Sequence, residues 1–405
     1  MKHSMERILT THVGSLPRPP ALAQAMVKRD RGTLSAGEAA SLPQQICEAV
    51  DDVVRKQAET GLDIINDGEA SKIGYATYVR ERLSGFEGTS RGLTIWDLDE
   101  VPEFAGRALE GLDPMTPACT GPITFQGHAA LEEDIKNLKS ATGKVEPADV
   151  FMTAASPGVI AIYLENQHYG TTEEYWQAIA EAMRVEYEAI VAAGFILQLD
   201  APDLAMGRHV SKELLSVDEF RRQMAVRVEL LNHACRNIPS DKVRLHLCWG
   251  NYHGPHHHDV PLNEIVDILL RTKAGALSFE AANPRHQHEW RIWEEVELPE
   301  DKVLVPGVID TCTSYVEHPE LVAERIVRFA QLVGRERVIA GTDCGFANFA
   351  SYQITDPKIA WMKLAALADG AALASRQLWR ESQGRGRLVQ AAVDGVHDGD
   401  HSRPV

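Results

Sequence analysis

Long apolar runs are missing from this chain. No stretch approaches the roughly 18 consecutive apolar residues of a membrane-spanning helix. Basic charge is also short: 41 Lys and Arg stand against 58 Asp and Glu, a formal net charge of −17. That balance argues against nonspecific binding to nucleic acid or to an anionic membrane and favours a small-molecule enzyme. Cysteine is sparse. The six, Cys47, Cys119, Cys235, Cys248, Cys312 and Cys344, lack the spacing of a disulfide framework and read as reduced thiols, some of them candidate ligands. The opening "MKHSMERILTTHVGSLPRPP" has no apolar core of a secretory leader. The expected compartment is therefore the cytoplasm. No glycine-rich nucleotide fingerprint follows an early strand either, which weakens an open dinucleotide-binding sheet.

What is present is a rhythm. Short β-rich runs, "ILTTHVGS" (8–15), "LDIINDGE" (62–69), "PITFQG" (122–127), "VFMTAAS" (150–156), "FILQLDAP" (195–202), "VRLHLCWG" (243–250), "ALSFEAAN" (276–283), "VLVPGVID" (303–310) and "RVIAGTDCG" (337–345), alternate with helical patterns. Two of the helices, 171–194 and 318–334, close on Gly194 and Gly334, where a helix stops readily. Repetition of strand and helix implies parallel strands joined by crossover helices. The strands finish on polar or reactive residues: Ser15, Glu69, Asp200, His246 with Cys248, Glu280, Asp310 and Cys344. Active sites of closed barrels are built from such strand ends, so an α/β fold of the (β/α)8 TIM-barrel type is expected over residues 1–378. Residues 379–405 read as a polar tail that loses periodicity, partly disordered or an oligomer arm.

One tract stands out. "HLCWGNYHGPHHH" (246–258) holds five histidines, and His246 and Cys248, two apart on a strand, point to one face. A thiolate beside an imidazole suits Zn2+, which takes about four N, S or O ligands. Cys344 and Glu280, at the ends of other strands, are the best candidates to complete the set. A packed core cysteine and a structural histidine are the competing reading of the same spacing. His253, His256, His257 and His258 read as a polar lid loop opened by Gly254 and Pro255, with an accessory metal site as the alternative. Trp249 and Asn251 are pocket candidates; His12 reads either as a site residue or as a packed one.

The motifs taken together, "TTHVGSLPR", "NDGEASK", "LQLDAPDL", "HLCWGNY", "SFEAANPR", "PGVIDTCTSYVEHPE" and "GTDCGF", run in the order seen in the catalytic half of cobalamin-independent methionine synthase, which the chain resembles from Thr10 to about Ser375. The resemblance implies zinc held by His246, Cys248, Glu280 and Cys344. It also implies a thiol acceptor whose amino group meets Glu69 and Asp200 and whose carboxylate meets backbone around Ser15. The family's long N-terminal half, which helps to bind folate, has no counterpart in the chain. A family histidine that protonates the leaving group is replaced by Cys312, in the motif that also carries Asp310. Those two residues are the catalytic candidates there. Tyr163 stands where the family has a tryptophan, and "TPACTGPITF" replaces a folate-contacting arginine segment.

Activation of a small, homocysteine-like thiol is thus expected, with a methyl or alkyl donor other than folate polyglutamate. A homodimer or a corrinoid-protein partner is the expected assembly. Two other readings stay open: addition of a small thiol to an epoxide or other alkyl electrophile, as in epoxyalkane–coenzyme M transferase, and a non-catalytic zinc-binding barrel.

Overall fold

A computed structural model describes residues 1–112 and 116–397, the last stretch, 381–397, as backbone only. Eight parallel strands form the centre: β1 (Leu9–Thr10), β2 (Ile64–Ile65), β3 (Asp149–Ala155), β4 (Ile196–Asp200), β5 (Val243–His246), β6 (Ala276–Phe279), β7 (Val303–Ile309) and β8 (Ile339–Thr342). The sheet runs from β1 through β8 and back down to β2, each strand beside its sequence neighbour. Its two ends meet. The amide of Asp63 donates to the carbonyl of Thr10 at 3.2 Å and Thr11 Oγ1 to that of Ile64 at 3.0 Å, so the sheet is a near-closed barrel. The expected fold is the observed one.

Sequence features set the helix ends. Ser35 and Thr171 build capping boxes with Glu38 and Glu174 at the starts of Ala36–Thr60 and Thr172–Ala192. Gly194 (φ +99°) and Gly334 (φ +92°) take up the conformation that ends the two helices expected to stop there. One expected strand is absent: "PITFQG" pairs with the barrel nowhere. Two of its amides are taken by side chains, Ile123 by Tyr169 and Thr124 by Ser84, and that of Gln126 by the carbonyl of Arg82, so it lies outside the ladder. The expected loss of periodicity beyond 378 does not show in the backbone, because the terminal helix Pro357–His397 continues through it. Residues 398–405 of that tail lie outside the described residues. No helix among the described residues is long and apolar enough to cross a membrane.

The barrel interior is layered. Leu9, Ile64, Phe151, Ile196, Ala276, Val303, Val305 and Ile339, from seven of the strands, make its apolar floor. On β5 the inward residue at this height is Arg244, fully buried and lying 3.7 Å over the ring of Phe151. It donates to Gln198 Oε1 at 2.6 Å, Thr11 Oγ1 at 2.9 Å and the carbonyl of His12. Two residues further along β5 the same face carries His246, level with Asp200 on β4 and Ser278 on β6. Arg244 thus supports the layer directly beneath the mouth. Arg244→Leu would leave those acceptors buried and unpaired, at about 1–3 kcal/mol each. A loss of about 3 kcal/mol or more in urea unfolding is expected; a loss within 0.5 kcal/mol would contradict this role.

Candidate functional site

Beyond the ends of β5 and β8, three side chains converge. One donor atom each from His246, Cys248 and Cys344 lies within 4.8 Å of the other two, and all three residues are buried. The two sulfurs are 4.0 Å apart. Sulfurs held about 2.3 Å from a tetrahedral zinc ion stand about 3.8 Å apart, so this spacing fits one. His246 Nε2 has no hydrogen-bond partner although it is buried. Burial first, then the nearby Arg244, hold the ring down to about 3, and it remains neutral as a ligand must be. The adjacent Cys248 sulfur, followed by burial, pushes the Cys344 thiol well above its ordinary value. Two thiols so placed would lose their protons readily only where a cation took the protons' place. The donor set therefore fits zinc.

Glu280, expected as the fourth ligand, is not among the converging donors. It is buried, with Oε1 accepting from the amide of Trp249 at 2.8 Å and Oε2 from Asn283 Nδ2 at 2.6 Å and Arg285 Nη2 at 2.7 Å. Its neighbour Asp343 ties the turn after β6 to the end of β8, accepting from the amides of Ala281, Ala282 and Asn283 at 2.8–2.9 Å. Trp249, expected to line the pocket, is fully buried instead. Its indole donates to the carbonyl of Val260 at 2.6 Å and stacks on His286 at 3.9 Å. A side chain that apolar, with one N–H to satisfy, packs more favourably under the site than in it.

The pocket itself is small, about 30 Å3, and is lined by His246, Cys248, Cys344, Ser15, Glu69, Asp200 and Asn251, among others. Glu69 sits at φ +55°, unusual for a residue with a side chain, and its Oε2 has no partner. Gly14 allows this: a Cβ there would come 2.6 Å from Glu69 Oε1. Asp200 accepts from Gln198 at 2.8 Å. Burial, then the charge of Glu69, push its carboxyl well above the ordinary range. The nearby amine of Lys72 is engaged by Thr153, at 2.6 and 2.8 Å. Ser15 Oγ donates to Asn348 Oδ1 at 3.0 Å on the other wall.

Asp310 and Cys312 line a neighbouring cleft, with Arg285 and Tyr315, rather than this pocket. The two spaces share a wall at Asn251, whose Oδ1 accepts from Cys312 Sγ at 2.9 Å and Thr311 Oγ1 at 3.0 Å. Asp310 Oδ1 accepts the amide of Cys312 at 2.8 Å. Tyr163 is not a lining residue. It stands behind Tyr75, hydroxyl to hydroxyl at 3.0 Å, and Tyr75 lines the pocket. His12 is a packed residue, 2.7 Å from Gln57 and held by burial down to about 3. The histidine loop is tied down, with His257 and His258 on Glu100 at 3.0 and 2.7 Å and the amide of His256 on Asp97 at 2.8 Å. Tyr75, Gly345 and Asn348 escaped the sequence reading. The last two follow Cys344 closely enough to be suspected; nothing in the sequence marks Tyr75.

A family description, "Cobalamin-independent synthase, Catalytic domain", matches residues 8–96 and 165–368. The chain belongs to that family. Among its relatives, a protein of Thermococcus kodakarensis named methionine synthase is 24% identical over 375 residues, 92% of this chain and 95% of that one. A 2-hydroxypropyl-CoM lyase of Xanthobacter autotrophicus is 26% identical over 409 residues, 93% of this chain and 97% of that one. A B12-independent methionine synthase from Shewanella, solved with selenomethionine, superposes with a TM-score of 0.72 at 21% identity, covering 92% of this chain and 99% of the other. The Thermococcus relative named methionine synthase thus matches over nearly its whole length.

Close packing at the mouth leaves little room. A methyl group on Gly345 would stand 2.0 Å from Ser15 Oγ and 2.8 Å from Asn348 Oδ1. Gly345→Ala is expected to cost about 1–3 kcal/mol in urea unfolding by forcing that pair apart. Gly92→Ala, where a Cβ meets nothing within 4 Å, is the neutral comparison. Equal stability of the two variants would contradict the packing described.

Proposed function

We propose that this chain is a zinc-dependent S-methyl- or S-alkyltransferase whose acceptor is a small, homocysteine-like thiol. The observation that carries the reading is one pocket holding both the His246, Cys248 and Cys344 donors and a pair of buried acids, Glu69 and Asp200. His246, Cys248 and Cys344 would hold the ion, with Glu280 as an exchangeable fourth ligand. When bound, zinc supplies Lewis acidity that lowers the proton affinity of an incoming thiol, which then reacts as a thiolate.

The chain's own residues do the rest. Glu69 has an unpartnered oxygen, and its charge helps to keep Asp200 protonated. An ammonium group placed between them lets both carboxylates ionise, through charge-assisted hydrogen bonds worth about 1.5–3 kcal/mol each. Backbone around Ser15 holds the acceptor's carboxylate on the facing wall. The donor carbon approaches from the cleft beyond Asn251, so that positioning across this shared wall supplies much of the acceleration. Cys312 faces the donor side as the proton source. Burial holds its thiol well above the ordinary value, and Asp310 fixes its backbone. A thiol so held is a weak acid. It suits donors whose leaving group needs little protonation, such as a corrinoid, a sulfonium or a strained ring.

A second reading, addition of a thiol to an epoxide, is favoured by the likeness to the CoM lyase and by the absence of a histidine at Cys312. The acids weigh against a sulfonate-bearing thiol, because the charge of Glu69 at the thiol site repels an anion and a protonated Asp200 does not offset it.

Two measurements test the proposal. Glu69→Gln should weaken a homocysteine-like thiol by roughly one to two decades, following the tenfold per 1.4 kcal/mol rule. It should leave the metal in place. Tighter binding of 2-mercaptoethanesulfonate by the mutant, with homocysteine binding neither form, would move the assignment to the second reading. With methyltetrahydrofolate polyglutamate and homocysteine, the wild type should form little or no methionine; robust turnover would mean that a stronger acid than Cys312 protonates the leaving group.

A further inference from the structure

A second cluster of ligand-type side chains lies on the far side of Trp249, away from the thiolates. One donor atom each from His209, His256 and Asp259 lies within 4.8 Å of the other two. Asp259 Oδ1 is the meeting point, 3.1 Å from His256 Nδ1 and 3.5 Å from His209 Nε2. Ligands held about 2.0–2.1 Å from a tetrahedral ion stand roughly 3.3 Å apart, and the two distances straddle that value.

The hydrogen bonds say what is lacking. His256 Nε2 lies 3.1 Å from the carbonyl of Tyr252, which can only accept, so this nitrogen carries the proton. Nδ1 therefore faces a carboxylate and needs a cation, on the ring or between the two groups. A proton there would satisfy His256 alone. His209 would remain as it is, fully buried with neither ring nitrogen hydrogen-bonded. One ion facing all three groups satisfies both rings at once.

Charge and support agree. Around the cluster the carboxylates of Asp97, Asp259, Glu280 and Glu289 face three basic side chains: His286, the partly exposed Arg208, and Arg285, whose guanidinium lies 3.5 Å from Asp259 Oδ2 and 2.7 Å from Glu280 Oε2. His286 stands between two carboxylates, with Glu289 Oε2 2.8 Å from its Nδ1 and Asp259 at its Nε2. It donates to Asp259 Oδ2 at 2.9 Å and fixes the carboxylate's orientation, as outer partners of metal ligands do. The loop is also held in a conformation it would not choose: His256 sits at φ +55°, stacked 4.1 Å over Tyr252.

We propose that His209 Nε2, His256 Nδ1 and the Asp259 carboxylate form a second metal site, which takes a divalent transition ion of the zinc class and pins the 252–259 loop beside the mouth. Two imidazoles and a carboxylate suit that ion and leave a position for water. The site is mechanically joined to the thiolate centre. Asp259 holds His286, His286 stacks on Trp249, and the amide of Trp249 holds Glu280. The proposal stands independently of the transferase reading.

The test is a cobalt(II) titration of the chelator-stripped full chain in a Glu100→Ala background, which removes the exposed Glu100, His257 and His258 group from the count. Two equivalents are expected: one with the sulfur-to-metal charge-transfer band of the thiolate centre, the other with ligand-field bands alone. Cys248→Ser with Cys344→Ser should keep only the second. His209→Ala should keep only the first, and Asp259→Asn, closer in shape, guards against misfolding, checked by circular dichroism. A single equivalent carrying the full charge-transfer band, or two equivalents retained in both His209→Ala and Asp259→Asn, overturns the second site. Absence of the charge-transfer band, with one ligand-field equivalent lost in His209→Ala, leaves it standing and refutes the thiolate centre instead.

Discussion

Two thiols 4.0 Å apart converge on a buried imidazole nitrogen that has no partner, a donor set that fits a metal ion. The neighbouring structure follows from holding those three groups in place. β5 must present His246 and Cys248 on one side, and β8 must bring Cys344 to the same point, which a closed barrel does by directing every strand end to one mouth. Arg244 carries the layer beneath, and Asp343 welds the turn after β6 to the end of β8. The barrel positions the donors, and the donors account for the polar groups gathered at its mouth.

The acids define the other half of the site. Glu69 and Asp200 share a buried space in which burial and the charge of Glu69 outweigh the more distant Lys72 and Arg244 and push the Asp200 carboxyl up. Asn251 lines this space and accepts from Cys312, which lines the neighbouring cleft with Asp310, so one side chain connects the two.

Much of this was legible in the sequence, for physical reasons. Strand–helix alternation and the reactive strand ends announced the barrel, because period-2 and period-3.6 patterns report burial directly. His246, Cys248 and Cys344 were legible because motif order and strand register fix where they point. Failures came where a residue's partner is distant in sequence. Trp249 looked like a pocket residue from its place after the ligand strand, but His286 draws it into the core. Nor did the sequence show that Glu280, expected on the metal, would accept from Arg285 and Asn283. The apolar look of "PITFQG" could not reveal that Tyr169 and Ser84 would take its amides. His209 carried no signal at all, since only folding brings it to the histidine loop.

Cadmium NMR on the loaded protein tests the central claim most directly, because each metal position gives its own resonance and sulfur ligation moves it strongly downfield. A resonance in the range of two thiolate sulfurs should move further downfield when homocysteine is added, as a third sulfur joins, and should vanish in Cys248→Ala. If that resonance stays fixed with saturating homocysteine, or lies where only nitrogen and oxygen ligate, the pocket formed by His246, Cys248 and Cys344 does not activate a thiol.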